Sequence, residues 1–318
     1  MKINSSLRPT ALLPLLLALM VAKKTRVGGQ AVIEGVMIRS KHRISWAVKN
    51  PDGETIIERL PFVSLLKRHR FLAVPIVRGA IGVYESLKIG YAALARSAQI
   101  ASGERCEIGK QVENSNRGAF LASLAIALVI CLGLFMYLPM LISQVFFKDS
   151  ALAFNGAAGT IRIALFLAYL ASISLWKDIR RVFEYHGAEH KAIFAFEDGK
   201  ELTLENMRSY STLHPRCGTS FLLLVAMICI VLFSVIDTIV VSFAGPYPNV
   251  LARLCVHLVL LPLVAGSSYE VLRFSDRFQH FLPVKLLIMP GLWLQKITTR
   301  QPNDEQLGVA SAALKASL

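Results

Sequence analysis

Cysteine and charge are both scarce in this chain of 318 residues, and each shortage excludes a class of protein. The five cysteines are scattered, and no two of them form a Cys-x-x-Cys pair, so a disulfide framework is excluded. Charged residues make up 18% of the chain and hydrophobic residues 54%, which is too apolar for a typical soluble domain. The small acidic share leaves a net charge of +14, which nucleic acid binding or the basic flanks of a membrane protein would explain.

What the sequence does contain is a set of long apolar segments. Each approaches or exceeds the ~20 residues that a helix needs to cross the hydrocarbon core of a bilayer. They lie at about residues 119–145, 158–176, 218–243 and 250–269. The sequence therefore predicts a mainly α membrane protein with about four transmembrane helices, which form a membrane domain over residues 118–272.

The part of the chain before the first span differs in character from the rest. Residues 1–25 contain a short apolar run without a cleavage site, which indicates an uncleaved N-terminal extension. Residues 26–117 predict a small cytosolic α+β domain. It contains a hairpin turn at Asn50-Pro51-Asp52-Gly53 and a helix over residues 76–101.

Lysine and arginine are distributed unevenly along the chain. Of the 35 basic residues, 19 lie in residues 1–118, seven in 177–217 and six in 273–318. Under the positive-inside rule these regions face the cytosol, so both termini and the loop 177–217 between spans 2 and 3 are predicted there. Residues 273–318 are expected at the membrane interface, since their apolar part from Phe281 to Met289 is too short to span.

Ionisable residues within the spans are few. Asp237, Arg162 and Arg253 are predicted near the outer leaflet, where they pair or snorkel. His257 is the one histidine of its span, and a hydrogen-bonded core histidine is favoured there over a ligand. With few such residues and no inverted repeat, a transporter is the weakest hypothesis and no transporter substrate is expected.

The residue types that carry chemistry are concentrated between His186 and Cys217. In a helix over residues 177–196, His186 and His190 are four apart and share one face, so two imidazoles reach one metal ion. Glu189 lies about 100° from that face, where it is a ligand or the base that acts on a metal-bound water. Two histidines at this spacing also occur by chance, and simple hydrogen bonding at a membrane boundary is the alternative.

A second cluster, His214-Pro215-Arg216-Cys217, closes the same segment. Pro215 ends any helix, so His214 and Cys217 are expected in a loop that folds back on the histidine pair. With His186 and His190 they form a four-ligand set of mixed nitrogen and sulfur type, which favours zinc over magnesium or calcium. A small buried hydrophobic residue is the alternative role for Cys217.

Six ordered motifs make the chain resemble a known family. They are Gly28-Gly29-Gln30-Ala31-Val32-Ile33-Glu34-Gly35-Val36-Met37, Arg78-Gly79, His186-Gly187-Ala188-Glu189-His190-Lys191, His214-Pro215-Arg216-Cys217-Gly218-Thr219-Ser220-Phe221, Ser268-Tyr269-Glu270 and Pro290-Gly291-Leu292-Trp293-Leu294-Gln295. Over about residues 26–310 the chain is similar to the YqhQ-like family of bacterial multi-pass membrane proteins. That family has no established function and has been described as predicted metal-dependent enzymes. The resemblance implies a bacterial inner membrane as the location, without supplying a reaction.

Two hypotheses for function follow. In the first, three of the four ligands hold a catalytic zinc for a hydrolase, and Glu189 is the general base. Glu34, Glu270 and Arg216 are then candidates to surround the ligands. In the second, all four ligands close around a structural zinc, and the protein is a membrane scaffold or an accessory to another membrane complex. A catalytic zinc keeps one position open, so the ligand count separates the two hypotheses.

The expected partners follow from the basic cytosolic face. It predicts contact with the lipid bilayer and with its anionic lipids. In the scaffold hypothesis it also predicts a membrane-protein partner or an RNA-rich partner such as a ribosome, without sequence-specific recognition of nucleic acid.

Overall fold

The computed structural model describes residues 27–103, 117–147, 149–278 and 281–318, so the predicted N-terminal extension lies outside it. The strands are β1 Gly28–Val32, β2 Gly35–Arg39, β3 Arg43–Lys49 and β4 Thr55–Pro61. The helices are α1 Leu65–Arg68, α2 Val77–Ala101, α3 Arg117–Leu132, α4 Leu138–Phe146, α5 Ala151–Ile173, α6 Lys177–Glu197, α7 Leu204–Arg208, α8 Gly218–Ala244, α9 Val250–Arg277, α10 Leu282–Thr298 and α11 Asp304–Ser317. A short 3₁₀ turn, Arg70–Ala73, precedes α2, and a π-helical turn, Gly133–Tyr137, joins α3 to α4.

The four strands form an antiparallel sheet in which each strand pairs with the next one along the chain. The predicted hairpin turn joins β3 to β4: the Asn50 N–H donates to the Glu54 carbonyl at 2.9 Å, and Gly53 has a φ of +86°. A second hairpin joins β1 to β2. Glu34 lies in its turn with a φ of +54° and is half-buried.

Among the residues that the structure describes, four helical segments are long and apolar enough to cross a membrane, as the sequence predicts. They are Ala125–Phe146, Ala151–Ile173, Phe221–Ala244 and Val250–Ser275. In the first two, only 11% of the most apolar window is buried inside the protein, so most of their apolar side chains face outward. Apolar surface on this scale is stable when lipid covers it. The predicted fold class, a mainly α multi-pass membrane protein with a small sheet, is confirmed.

The first span is continuous, although its hydrogen-bond pattern changes in the middle. The π-helical turn Gly133–Tyr137 lies immediately before α4, which has Pro139 in its first turn. Proline has no N–H to donate to the preceding turn, and a π-helical turn accommodates the lost bond. The Arg162 side chain of α5 donates to the Phe135 carbonyl of this turn at 2.7 Å.

The sheet is buried on both faces. Val36, Ile38 and Ala47 face α6 and α11, and they pack there with side chains such as Tyr185 and Leu314. The alternate positions of the strands face the other way and pack on α2. That second core contains Val32, Met37, Trp46, Val48, Ala93 and Ile100. Because side chains alternate along a strand, burial of both faces requires the nearly continuous apolar runs seen in β2 and β3.

The C-terminal helix α11 belongs to the core around the sheet. The sequence treated residues 273–318 as one interfacial segment with a short terminal helix, and the structure packs Asp304–Ser317 on β2, β3 and α6. Hydrogen bonds fix this position: Ser45 Oγ donates to the Ala313 carbonyl at 2.7 Å, and Ser40 Oγ donates to the Ser317 carbonyl at 2.8 Å. The apolar side chains of α11 therefore pack on the sheet.

A polar cluster lies inside the bundle near the start of α9. The Asp237 carboxylate is fully buried, and it accepts hydrogen bonds from Asn155 at 2.8 Å, Tyr247 at 2.9 Å and His257 at 3.0 Å, beside Arg253 Nε at 3.2 Å. Pairing of Asp237 with Arg253 was predicted, and so was a hydrogen-bonded role for His257. The network joins α5, α8 and α9, and each polar atom of Asp237 has a partner, as burial of a charge requires.

Candidate metal centre

Helix α6 positions the two central histidines. His186 and His190 are one turn apart, and their ring centroids are 4.4 Å from each other. Gly187 between them faces the chain that follows α10, where the Arg300 N–H donates to the Phe183 carbonyl at 2.9 Å. A Cβ atom at 187 would overlap the Arg300 carbonyl oxygen, so only glycine permits this contact.

Cys217 joins the histidine pair from the N-terminus of α8. The predicted loop after His214 folds back, and the Cys217 N–H donates to the His214 carbonyl at 3.2 Å. The Cys217 sulfur then lies 3.2 Å from His186 Nε2. One ligand atom from each of His186, His190 and Cys217 lies within 4.8 Å of the other two, and all three residues are buried. This separation is one that a single metal ion bridges.

Backbone carbonyls determine which ring nitrogens face the centre. His186 Nδ1 is 2.7 Å from the Thr298 carbonyl oxygen, and His190 Nδ1 bonds to the Thr212 carbonyl oxygen. A carbonyl only accepts, so each Nδ1 carries the proton and each neutral ring keeps a lone pair on Nε2. Histidine ligands of metals are held in this way, by a partner on the opposite ring nitrogen. His190 Nε2 is buried and makes no hydrogen bond within the described part of the chain, which suits a ligand atom.

The sulfur of Cys217 lies where negative charge is favourable. Cys217 caps α8, a helix of 27 residues, and the Thr219 N–H donates to Sγ at 3.4 Å. The Thr219 hydroxyl is 3.1 Å from the same sulfur. The sulfur therefore lies at the positive end of the helix dipole and accepts a backbone hydrogen bond, a position that suits a metal ligand.

Glu189 lies directly beside the two imidazoles. One carboxylate oxygen is 4.0 Å from His186 Nε2 and 3.8 Å from His190 Nε2, and the residue is only 4% exposed. Burial raises the pKa of Glu189, whereas the nearby His186 and His214 rings and the backbone N–H of Gly29 act to lower it. Burial lowers the pKa of His190, which keeps that ring neutral. A carboxyl group with a raised pKa beside candidate ligands suits proton transfer.

His214 lies next to this group in a different environment. Its ring centroid is 5.5 Å from that of His190, and its ring packs on Phe194. The Arg216 N–H donates to His214 Nδ1 at 3.3 Å, which leaves Nε2 as the protonated nitrogen, 3.6 Å from a Glu197 oxygen. Arg216 itself forms an ion pair with Glu197. The structure thus groups three of the four predicted ligands, His186, His190 and Cys217, and metal binding by any of the four stays a prediction.

The other two predicted acids have partners elsewhere. Glu34 lies 2.5 Å from Arg181 Nε, and Tyr185 donates to its second oxygen at 3.5 Å, so it contacts α6 one turn before His186. Glu270 is held by Arg78, with Nε and Nη2 at 2.7 and 2.5 Å from its two oxygens, so it joins α9 to α2.

Several residues that build the centre were missed by sequence reasoning. Thr212 and Thr298 act through their backbone carbonyls, which no side-chain pattern reveals. Gln295 anchors the loop, because it accepts from the His214 N–H at 2.7 Å and donates to the His214 carbonyl at 2.8 Å. Gln295 and Gly29 both lie within the six motifs that the chain shares with the family it resembles, and those motifs were the sequence signal that could have identified them.

Fold and site together define a multi-pass membrane protein with a buried His-His-Cys cluster. Residues 74–318 match a family described as "Protein of unknown function (DUF1385)". The chain is also 33% identical to "Uncharacterized protein YqhQ" of Bacillus subtilis (strain 168) over 293 residues, which cover 89% of each chain. The chain therefore belongs to the DUF1385 family, in agreement with the resemblance seen in its motifs. No solved structure matches it.

Proposed function

We propose that this protein is a membrane-embedded, zinc-dependent hydrolase whose centre is formed by His186, His190 and Cys217. The observation that carries the proposal is the shared geometry of the two imidazoles. Both donate Nδ1–H to backbone carbonyls and thereby direct Nε2 toward a single cysteine sulfur. Two nitrogens and one sulfur form a donor set that zinc accepts, and the unbonded, buried His190 Nε2 fits a ligand atom.

The roles of the residues follow from their positions. Zinc would supply Lewis acidity for hydrolysis, and three protein ligands leave one position of a tetrahedral site open. Glu189 is the general base, because its carboxylate lies within 4.0 Å of both Nε2 atoms. The backbone of Gly29 packs directly against that carboxylate. Arg216 and Glu197 hold the loop that carries Cys217.

Burial favours a second candidate, a structural zinc in a membrane scaffold or in an accessory of another membrane complex. His190 is 1% exposed and His214 is 4% exposed, and their rings are only 5.5 Å apart. A shift of the His214 ring would bring a fourth ligand to the ion and close the site. Closed four-ligand sites are the structural type.

The proposed location is the cytosolic side of a bacterial inner membrane, with both termini inside. The uneven distribution of lysine and arginine supports this orientation. The packing of α6 on β1 and on α11 supports it as well, because it brings the N-terminal, central and C-terminal segments together. Four spans are consistent with termini on the same side.

Metal analysis of the untagged protein in detergent tests the proposal. We expect about one zinc per chain in the wild type and in Glu189→Gln, and loss of zinc in His190→Ala and Cys217→Ser. His42→Ala and Cys255→Ser are matched controls, since both residues are exposed and lie outside the cluster. A wild type without stoichiometric metal, or full zinc content in His190→Ala and Cys217→Ser, would overturn the proposal.

The ligand count separates the hydrolase from the scaffold. X-ray absorption at the zinc edge counts the nitrogen and sulfur neighbours in the wild type and in His214→Ala. Unchanged zinc content and an unchanged spectrum in His214→Ala support a three-ligand site with an open position. Loss of one nitrogen neighbour from the spectrum supports the closed, structural site.

A further inference from the structure

A groove of about 840 Å³ lies between the start of the sheet and helix α2, outside the His-His-Cys cluster. Its polar lining includes Ser40, Lys41 and Ser64, and its apolar lining includes Met37, Leu66 and Ile89. Tyr269 of the span Val250–Ser275 also lines it, so the groove begins at the end of a membrane span. This volume falls within the range of about 300–1,000 Å³ that is usual for small-molecule sites.

The charge on the groove is positive once the internal ion pair is considered. Glu85 lines the groove, but its carboxylate accepts from Arg39 at 3.4 Å, from the Ser64 hydroxyl at 3.0 Å and from the Leu65 N–H at 2.5 Å. Lys41 and Lys67 are both exposed at the rim of the groove. They are neighbours there, since Lys67 Nζ donates to the Lys41 carbonyl at 3.5 Å. Neither lysine forms an ion pair with an acid of the described residues.

The segment beside the groove exposes apolar side chains. Phe71 is 74% exposed and Val63 is 70% exposed, with Lys67 between them in sequence. On α2, which follows, Leu87 is 69% exposed. Exposed apolar residues that alternate with lysine are typical of a surface that rests on the headgroup region of a bilayer.

We infer that this groove binds the headgroup of an anionic membrane lipid. Lys41 and Lys67 supply the positive charge for the phosphate, and the hydroxyl of Ser86, which lines the groove and is exposed, supplies a donor. Met37, Leu66 and Ile89 contact the glycerol and the upper acyl chains. The groove is continuous with the membrane through Tyr269, so a lipid enters it without leaving the leaflet. The inference does not require zinc.

Native mass spectrometry of the delipidated full chain tests the inference. The protein is mixed with equal amounts of phosphatidylglycerol and phosphatidylcholine that carry the same acyl chains. We expect the wild type to retain phosphatidylglycerol roughly tenfold more than phosphatidylcholine, as two lysines near an anionic lipid predict. Lys41→Glu/Lys67→Glu should abolish this preference. The matched control Lys200→Glu/Lys315→Glu, which changes the charge equally at two exposed sites away from the groove, should keep it.

A second variant tests the groove without a change of charge. Ser86 is exposed and lines the groove, so Ser86→Trp should fill it and reduce bound phosphatidylglycerol to the phosphatidylcholine level. If the charge-reversed protein cannot be purified, Lys41→Gln/Lys67→Gln carries the same test. The inference is overturned if the wild type shows no preference for phosphatidylglycerol or if Ser86→Trp keeps that preference. It is also overturned if Lys41→Glu/Lys67→Glu and the control Lys200→Glu/Lys315→Glu lose the preference equally. Zinc content measured in the same samples should stay unchanged, so this inference and the proposed function fail separately.

Discussion

The Glu189 carboxylate packs against the backbone of Gly29, and the two residues are too close for any side chain at position 29. A Cβ atom on Gly29 would lie 2.7 Å from Cγ and 2.8 Å from Cδ of Glu189. Glycine therefore allows β1 to approach the carboxylate that lies beside both central imidazoles. Gly29 of the N-terminal motif and Glu189 of the histidine motif are 160 positions apart in the sequence and in contact in the fold.

Gly29→Ala is expected to destabilise the folded chain by about 1–3 kcal/mol, because the added methyl must displace either β1 or the Glu189 side chain. Gly28→Ala is the matched control, since a Cβ at position 28 meets no atom within 4 Å. Thermal unfolding midpoints of the two variants in detergent give the comparison. Equal midpoints would contradict the contact between Gly29 and Glu189.

The Glu58 carboxylate provides a prediction about pH. Burial acts to raise the pKa of Glu58, but hydrogen bonds from Arg96 at 2.6 Å and from Trp46 at 2.8 Å outweigh burial, so the pKa is lowered. A lowered folded-state pKa means that the ionised group stabilises the fold fully above its ordinary pKa of 4.5. That contribution is lost as the pH falls below 4.5 through the folded-state pKa.

Glu58→Gln should therefore lower stability by about 1–3 kcal/mol at neutral pH, the usual value for hydrogen bonds to a charged group. The difference from the wild type should shrink as the pH falls below 4.5. Glu54→Gln, an exposed carboxylate of the same hairpin, should show neither effect. Denaturant midpoints measured from pH 7 to pH 4 decide, and a constant difference across that range would refute the ion-pair explanation.

Local sequence patterns predicted the parts of this protein that depend on local physics. The four spans depend on apolar length, and the β3–β4 turn depends on its Asn-Pro-Asp-Gly sequence. The shared face of His186 and His190 depends only on their spacing of four within a helix, and the structure forms that helix over Lys177–Glu197. These features needed no information about distant segments, so a single sequence was sufficient.

Distant backbone contacts were beyond the same reasoning. The Thr298 carbonyl that orients His186 lies 112 residues away, and only the tertiary fold brings the two together. His214 illustrates the same limit in another way. Its residue type and spacing predict a metal ligand, and the sequence does not show that the Arg216 N–H donates to Nδ1 or that Nε2 lies 3.6 Å from a Glu197 oxygen. Residues 273–318 were predicted at the membrane interface, and nothing local reveals that α11 packs on the sheet, where Ser45 and Ala313 are 268 residues apart.

The Arg78–Glu270 pair is expected to couple α2 to α9 more strongly than a fully exposed pair does. It is bidentate, and its two side chains are only 25% and 24% exposed. Around it the helices touch closely, because a Cβ on Gly79 would lie 2.7 Å from the Gly266 carbonyl oxygen. Partial burial and fork geometry strengthen an ion pair, whereas solvent screens an exposed one.

A double-mutant cycle with Arg78→Ala and Glu270→Ala measures the coupling as shifts of the unfolding midpoint. The Arg208–Asp304 pair is the comparison, because it is also bidentate but has 58% and 52% exposed side chains. The first cycle should give the larger coupling, and it should fall less with added salt. Equal couplings in the two cycles would show that the junction of α2 and α9 does not depend on the ion pair.

Helix α11 should contribute to the stability of the sheet, since it packs on β2, β3 and β4. Leu314 is fully buried against the strands and α6, so Leu314→Ala is expected to cost about 2–5 kcal/mol through lost burial and the cavity that remains. Lys315→Ala, an exposed position one residue later, should change stability by less than about 0.5 kcal/mol. Hydrogen exchange of β2 and β3 amides gives the direct readout: it should accelerate in Leu314→Ala alone. Unchanged protection in that variant would mean that the sheet is stable without α11 and that the helix is only a surface attachment.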